Sequence, residues 1–204
     1  FGPAYAWIDI SGTGSIAIGS GDDVGAGPFP IGFDFPFYGG DFTEFWVNSN
    51  GTISLSSNAS PYSNQPLPST GAPPHLIAPF WDDLVVGTPG NVFYESDGTR
   101  LIVQWDEVDH YGTGGPYTFQ AILDSDGTIT YQYETVNPPL NSATVGIQNG
   151  ARTDGLTVAF NTEYVEAGLA VQLRAVPQWV TVTPSEGTIY APNSLVLDAS
   201  FDAS

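Results

Sequence analysis

The chain has no cysteine, no methionine and no lysine, and its cations are three arginines, Arg100, Arg152 and Arg174. Without Cys there is no disulfide framework, no thiolate metal site and no thiol nucleophile. Without clustered cations a phosphate backbone has nothing to neutralise it, so nucleic acid is excluded as a partner. An anionic lipid surface is disfavoured for the same reason. The formal charge of −19 comes from this scarcity rather than from excess acid, since Asp and Glu number 22 in 204 residues. Apolar runs are short and broken by Gly or Pro, so no segment reads as a membrane-inserting span. No signal peptide is read at the start, and Phe1 lies inside a patterned stretch, which predicts a mature or excised piece.

Helical spacing is also missing. No window keeps apolar residues at a 3.6-residue period over the roughly 12 residues that a helix needs. Gly (24) and Pro (17) instead punctuate short β-branched and aromatic runs, the pattern of strands joined by turns. Tyr5–Ile10 reads as an opening strand and Gly14–Ile18 as its continuation. Ile31, Phe33, Phe35 and Phe37 alternate onto one face, and Pro36 among them argues for a sheet edge. Asn50-Gly51 between two β runs predicts a hairpin, as do Asp97-Gly98 and Asp126-Gly127. Ser56–Pro74 is a long polar loop of the kind that often carries function. Asn50-Gly51-Thr52 and Asn58-Ala59-Ser60 match the glycosylation sequon.

The stretch that stands apart is His75–Val86, HLIAPFWDDLVV. An aromatic strand ends on two adjacent carboxylates that cannot be buried unpaired. The aromatic half is expected to be core, laid against the Phe33, Phe35 and Phe37 face. Alternation sends Asp82 and Asp83 to opposite sides, so at most one of them faces any cleft. These patterns predict an all-β, antiparallel sandwich or jelly-roll-like domain over residues 1–176. A short β tail follows over 177–204, where Val180, Val182, Ile189, Leu195 and Leu197 alternate.

Several stretches together resemble a β-sandwich accessory module of large secreted bacterial proteins, found beside subtilisin-type peptidases and Ig-like domains. They are Trp7-Ile8-Asp9-Ile10-Ser11, Phe35-Pro36-Phe37-Tyr38-Gly39, Val47-Asn48-Ser49-Asn50-Gly51, Ile77–Leu84, Thr118–Leu123 and Val145-Gly146-Ile147-Gln148-Asn149. The middle ones are similar to the nidogen-type extracellular domain. The tail from Trp179 resembles the opening of a bacterial Ig-like domain. The resemblance covers about residues 5–175. It implies an extracellular or cell-surface accessory or adhesion role and carries over no catalytic residue.

The acids and rings admit several chemistries. A Ser-His-acid triad needs a base, and only His75 and His110 exist, with no Gly-x-Ser-x-Gly elbow. A glycan-active enzyme would need two carboxylates across a cleft, with Asp106, Glu107 and Asp109 near Trp105 as the candidates. Calcium fits the acids better, because a hard cation takes six to eight oxygens from carboxylates and loop carbonyls. Its expected ligands are Asp22, Asp23, Asp82, Asp83, Asp124 and Asp126. Asp124-Ser125-Asp126-Gly127 copies the start of an EF-hand loop, yet the twelfth position, which should be Glu, is Thr135. Tyr62, Tyr111 and Tyr117 in Gly- or Pro-rich loops are the expected glycan-stacking rings, while Trp7, Trp46, Trp81 and Trp105 are expected in the core. The leading expectation is a non-enzymatic module that binds a surface, a glycan or a protein partner. The alternatives are a filament subunit that self-associates by strand addition through residues 177–204, and the glycan-active enzyme.

Overall fold

The computed structural model describes residues 3–174, and the backbone of 180–183 and 198–201. The chain divides into two compact units, Phe1–Leu173 and Arg174–Ser204. Among the described residues there is no helix.

Among the described residues the first unit holds fourteen strands. In chain order they are β1 (Ser15–Ile18), β2 (Gly21–Asp22), β3 (Gly25–Phe37), β4 (Gly40–Asn48), β5 (Ile53–Ser54), β6 (Leu76–Trp81) and β7 (Leu84–Val86). Then come β8 (Asn91–Ser96), β9 (Arg100–His110), β10 (Tyr117–Asp124), β11 (Ile129–Val136), β12 (Thr144–Gln148), β13 (Gly155–Phe160) and β14 (Ala170–Leu173). One sheet runs β1-β8-β9-β10-β11-β14, with β7 joined to β9 beyond the end of β8 and β2 joined to β7; the other runs β13-β12-β6-β5-β4-β3. All the pairings are antiparallel. This is the expected β-sandwich. In the second unit Val180–Thr183 pairs with Asp198–Phe201; the expected Ig-like opening at Trp179 and the alternation through Ile189, Leu195 and Leu197 lie outside the described residues.

The core forms where the two sheets face each other, because alternate residues on each strand turn inward. Trp105 stacks on Phe119 at 5.0 Å with the ring planes 12° apart, and Phe80 meets Phe119 at 5.6 Å and Tyr117 at 5.0 Å. Each such ring contributes about 1.5–3 kcal/mol by leaving water. Ile31, Phe35 and Phe37 are buried as their alternation predicts, and β3 is a sheet edge, which explains how Pro36 is tolerated. The partner of the aromatic strand is different from the expected one. β6 lies in the same sheet as β3, so Phe80 packs across the sandwich on β10 instead of against Phe33, Phe35 and Phe37. Every residue of β6 is buried, with Leu76, Ala78 and Trp81 forming a second small cluster with Leu67 and Ala72 from the long loop.

Tyr5–Ile10, expected as a strand, pairs with no strand. It is a strap on the outer face of the β9–β11 region, with only Ile10 inserted among Phe93, Ile102 and Ile122. Trp7 on the strap and Trp46 on β4 are half-buried, whereas Trp81 and Trp105 are the core tryptophans.

Candidate functional site

The acid pair sits on the short link between β6 and β7, and alternation separates its members as expected. Asp82 is buried and turned toward the start of β12: it accepts the Ser142 hydroxyl at 2.6 Å and lies 3.6 Å from His110 Nε2. Its second oxygen accepts the backbone N–H of Asp83 at 3.0 Å. Asp82 is thus a structural acid that closes its own turn.

Asp83 faces the other way, toward Asp22 and Asp23. β2 pairs with β7, Asp22 opposite Val85, and Asp23 follows in a left-handed conformation at φ 53° that turns its side chain back. Carboxylate oxygens of Asp22, Asp23 and Asp83 all lie within 4.8 Å of one another. Partial burial raises the Asp83 pKa, and the charges of Asp23 and Asp22 push it further up, against the opposing pull of His110.

Asn50 is the organiser of this end, a role the sequence shows only as a hairpin turn. It is fully buried, and Nδ2 donates to Asp23 Oδ1 at 2.7 Å and to the Ser60 carbonyl at 3.2 Å. Its Oδ1 accepts the Leu84 N–H at 2.9 Å. One amide therefore ties the β2 turn, the long loop and the start of β7 together. Gly51 beside it is obligatory: φ is +75°, and a Cβ would lie 1.9 Å from the Phe80 carbonyl oxygen. The sequon at Asn50 is closed by this burial, while Asn58 is exposed.

Two of the expected tyrosines are exposed. The Tyr111 N–H donates to the Asp83 carbonyl at 2.8 Å, and the ring is 55% exposed. The Trp81 indole N–H holds the Pro61 carbonyl at 2.7 Å, so Tyr62, 57% exposed, projects from the residue next to that anchor. Tyr117 is a correction: it is a fully buried core ring whose hydroxyl donates to the Pro139 carbonyl, and burial pushes its pKa well up. Its position on β10, opposite Val108, turns it inward despite the Gly-rich approach.

The remaining acids go elsewhere. Asp124 pairs with Arg100 at 2.8 Å, and Asp126 accepts the Thr128 N–H at 2.9 Å, so the EF-hand-like run is built as the turn of the β10–β11 hairpin. Of the six expected calcium ligands only Asp22, Asp23 and Asp83 come together among the described residues. Asp106 accepts an amide proton from Gln104. Glu107 stands at φ 51°, where the β9–β10 register shifts, and Asp109 lies in the β7–β9 pairing. These three acids mark an irregularity of β9. His75 is held by the Ser56 hydroxyl at 2.9 Å and by the Phe42 ring.

Two antiparallel sheets with three carboxylates gathered at one end define a β-sandwich module. A family model described as NIDO related matches residues 3–191. The chain belongs to that NIDO-related family. It is 28% identical over 156 residues to alpha-tectorin of Mus musculus and 27% identical over 156 residues to that of Homo sapiens, in each case 61% of this chain and 7% of the relative. To alpha-tectorin of Gallus gallus it is 28% identical over 138 residues, 54% of this chain and 6% of the relative. The chain thus spans less than a tenth of the length of these relatives. No solved structure matches it. Among the described residues no helix is long and apolar enough to cross a membrane.

Proposed function

We propose that this module is a non-catalytic extracellular adhesion or accessory unit that takes a glycan or protein partner at the end carrying Asp22, Asp23 and Asp83. The observation that carries this reading is the convergence there of three carboxylates, beside which the exposed Tyr111 is tied through its N–H to the Asp83 carbonyl. Calcium is the cation of this site: three carboxylates at this spacing repel one another, and a hard divalent ion offsets that repulsion. The exposed tyrosines supply flat faces for a sugar or for partner side chains. A place beside a peptidase or an Ig-like domain in a bacterial surface protein belongs to the same reading and rests on the motif resemblance.

The test is a glycan array probed with the full chain in calcium and again in chelator. The reading predicts calcium-dependent hits that weaken at least ten-fold in Tyr62→Ala and Tyr111→Ala. For a protein ligand, the same variants lose calcium-dependent capture by extracellular matrix extracts. Binding that ignores calcium and both tyrosines contradicts it. Self-association through residues 177–204 is the second reading, favoured by the sheet edges that carry no further strand among the described residues, β3 and β13 in one sheet and β1 and β14 in the other. Removing residues 177–204 then lowers the solution mass of the assembly; an unchanged mass rules it out.

A further inference from the structure

The outer face of β9–β11 presents a row of three glutamines. Gln104, Gln120 and Gln132 are directly opposite one another across the three strands and so share one face. The two outer amides hold the strap. Gln132 accepts the Ala6 N–H at 2.6 Å and donates back to the Ala6 carbonyl at 2.9 Å, and Gln104 accepts the Ile10 N–H at 3.1 Å. The middle one, Gln120, is fully buried beneath the strap, and neither its Oε1 nor its Nε2 has a hydrogen-bond partner. A buried amide left unbonded is unfavourable, so the strap is an incomplete occupant of this face.

The strap also brings a carboxylate to this face, Asp9, which hydrogen bonds from Ser11 and Gln104 hold below the usual carboxylate range. One residue row along from the glutamines, the same face carries Asp106 on β9, and Glu134 follows Tyr133 at the β11 bulge. The strap adds Asp9, which shares the Gln104 Nε2 group with Asp106, at 3.2 Å and 3.3 Å. Partial burial raises the pKa of Glu134, and the charges of Asp9 and Asp106 raise it further. Asp106 is likewise raised, by burial first and then by Glu107 and Asp9, against the amide of Gln104.

We infer that this face is a docking site for an extended segment of a protein partner bearing a lysine or arginine, whose cationic head sits over Gln120 between Asp106 and Glu134 in place of strap residues 5–9. Both defects of the strap specify that chemistry. An ammonium or guanidinium can donate to the unpartnered Gln120 Oε1 and is drawn by the carboxylates one residue row along. The chain has no lysine, and of its three arginines Arg100 is paired with Asp124 and Arg152 is bonded to the Thr70 carbonyl. The site uses none of Asp22, Asp23, Asp83, Tyr62 or Tyr111, so it stands or falls separately from the calcium-bearing end.

Two labelled peptides test it against the full chain by fluorescence anisotropy: the strap sequence 4–11, and the same peptide with Asp9→Lys. The lysine peptide is expected to bind at least ten-fold more tightly, to weaken with salt, and to speed hydrogen exchange of residues 5–9. Glu134→Gln in the receiving chain should cut that preference to about threefold or less. Equal affinities, absence of binding, or binding that leaves residues 5–9 protected overturns the inference. In the chain itself, Asp9→Lys should raise Tm and slow exchange of the strap; an unchanged or lower Tm overturns it as well.

Discussion

At the scale of single residues, the acid-rich end is held by Asn50 and loaded by Asp83. Asn50→Ala leaves the buried Leu84 N–H without an acceptor and frees Asp23, which should cost about 1–3 kcal/mol by denaturant unfolding. Gly51→Ala should be worse, because its Cβ cannot avoid the Phe80 carbonyl and its φ of +75° strains any side chain. For Asp83 the sign of the pH effect follows from its raised folded-state pKa. The folded chain then holds the Asp83 proton more tightly than the unfolded chain does. Its contribution is fully present below the ordinary carboxylate value of 3.8 and is lost as pH rises through the raised value. In chelator, Asp83→Asn should therefore lose that pH-dependent part and be the more stable form at neutral pH, as read from melting curves at pH 4 and 7. The opposite facing of Asp82 and Asp83 is legible from alternation alone. The part of Asn50 is not, because its three partners lie 10 to 34 residues away.

Among the elements, the hairpins are the most legible. Asn-Gly and Asp-Gly specify turns through local conformational preference, and the structure places β4–β5, β8–β9 and β10–β11 around them. The strap reads as a strand because Trp7, Ile8 and Ile10 have strand-forming side chains, while its backbone is captured by glutamine side chains instead of by a neighbouring strand. Tyr117 misleads for a related reason: the glycines before it suggest a loop, but strand register decides which way the ring turns. The long loop is pinned by the Trp81 indole. Trp81→Phe removes the bond to the Pro61 carbonyl and should speed proteolysis of 56–74 more than it lowers global stability, as limited proteolysis beside thermal melting would reveal. Trp105→Ala empties the centre of the core and should cost about 3–5 kcal/mol.

For the whole molecule, the all-β class is readable because turn residues and alternation repeat along the chain. Sheet order is not, since it depends on which distant strands meet, and β6 joining the sheet of β3 is the clearest case. The same net charge of −19 that rules out polyanions also makes the fold self-repelling. Added salt should raise Tm steadily at neutral pH through screening. We propose that the end bearing Asp22, Asp23 and Asp83 takes calcium as part of a binding site. The most direct measurement is the melting temperature of wild type and Asp83→Asn in calcium and in chelator. Calcium at about a hundred times its dissociation constant should stabilise the wild type by about 2.7 kcal/mol, or roughly 5–10 °C for a chain of this size, and leave Asp83→Asn unmoved. Identical wild-type melting in calcium and in chelator would rule calcium out at this end.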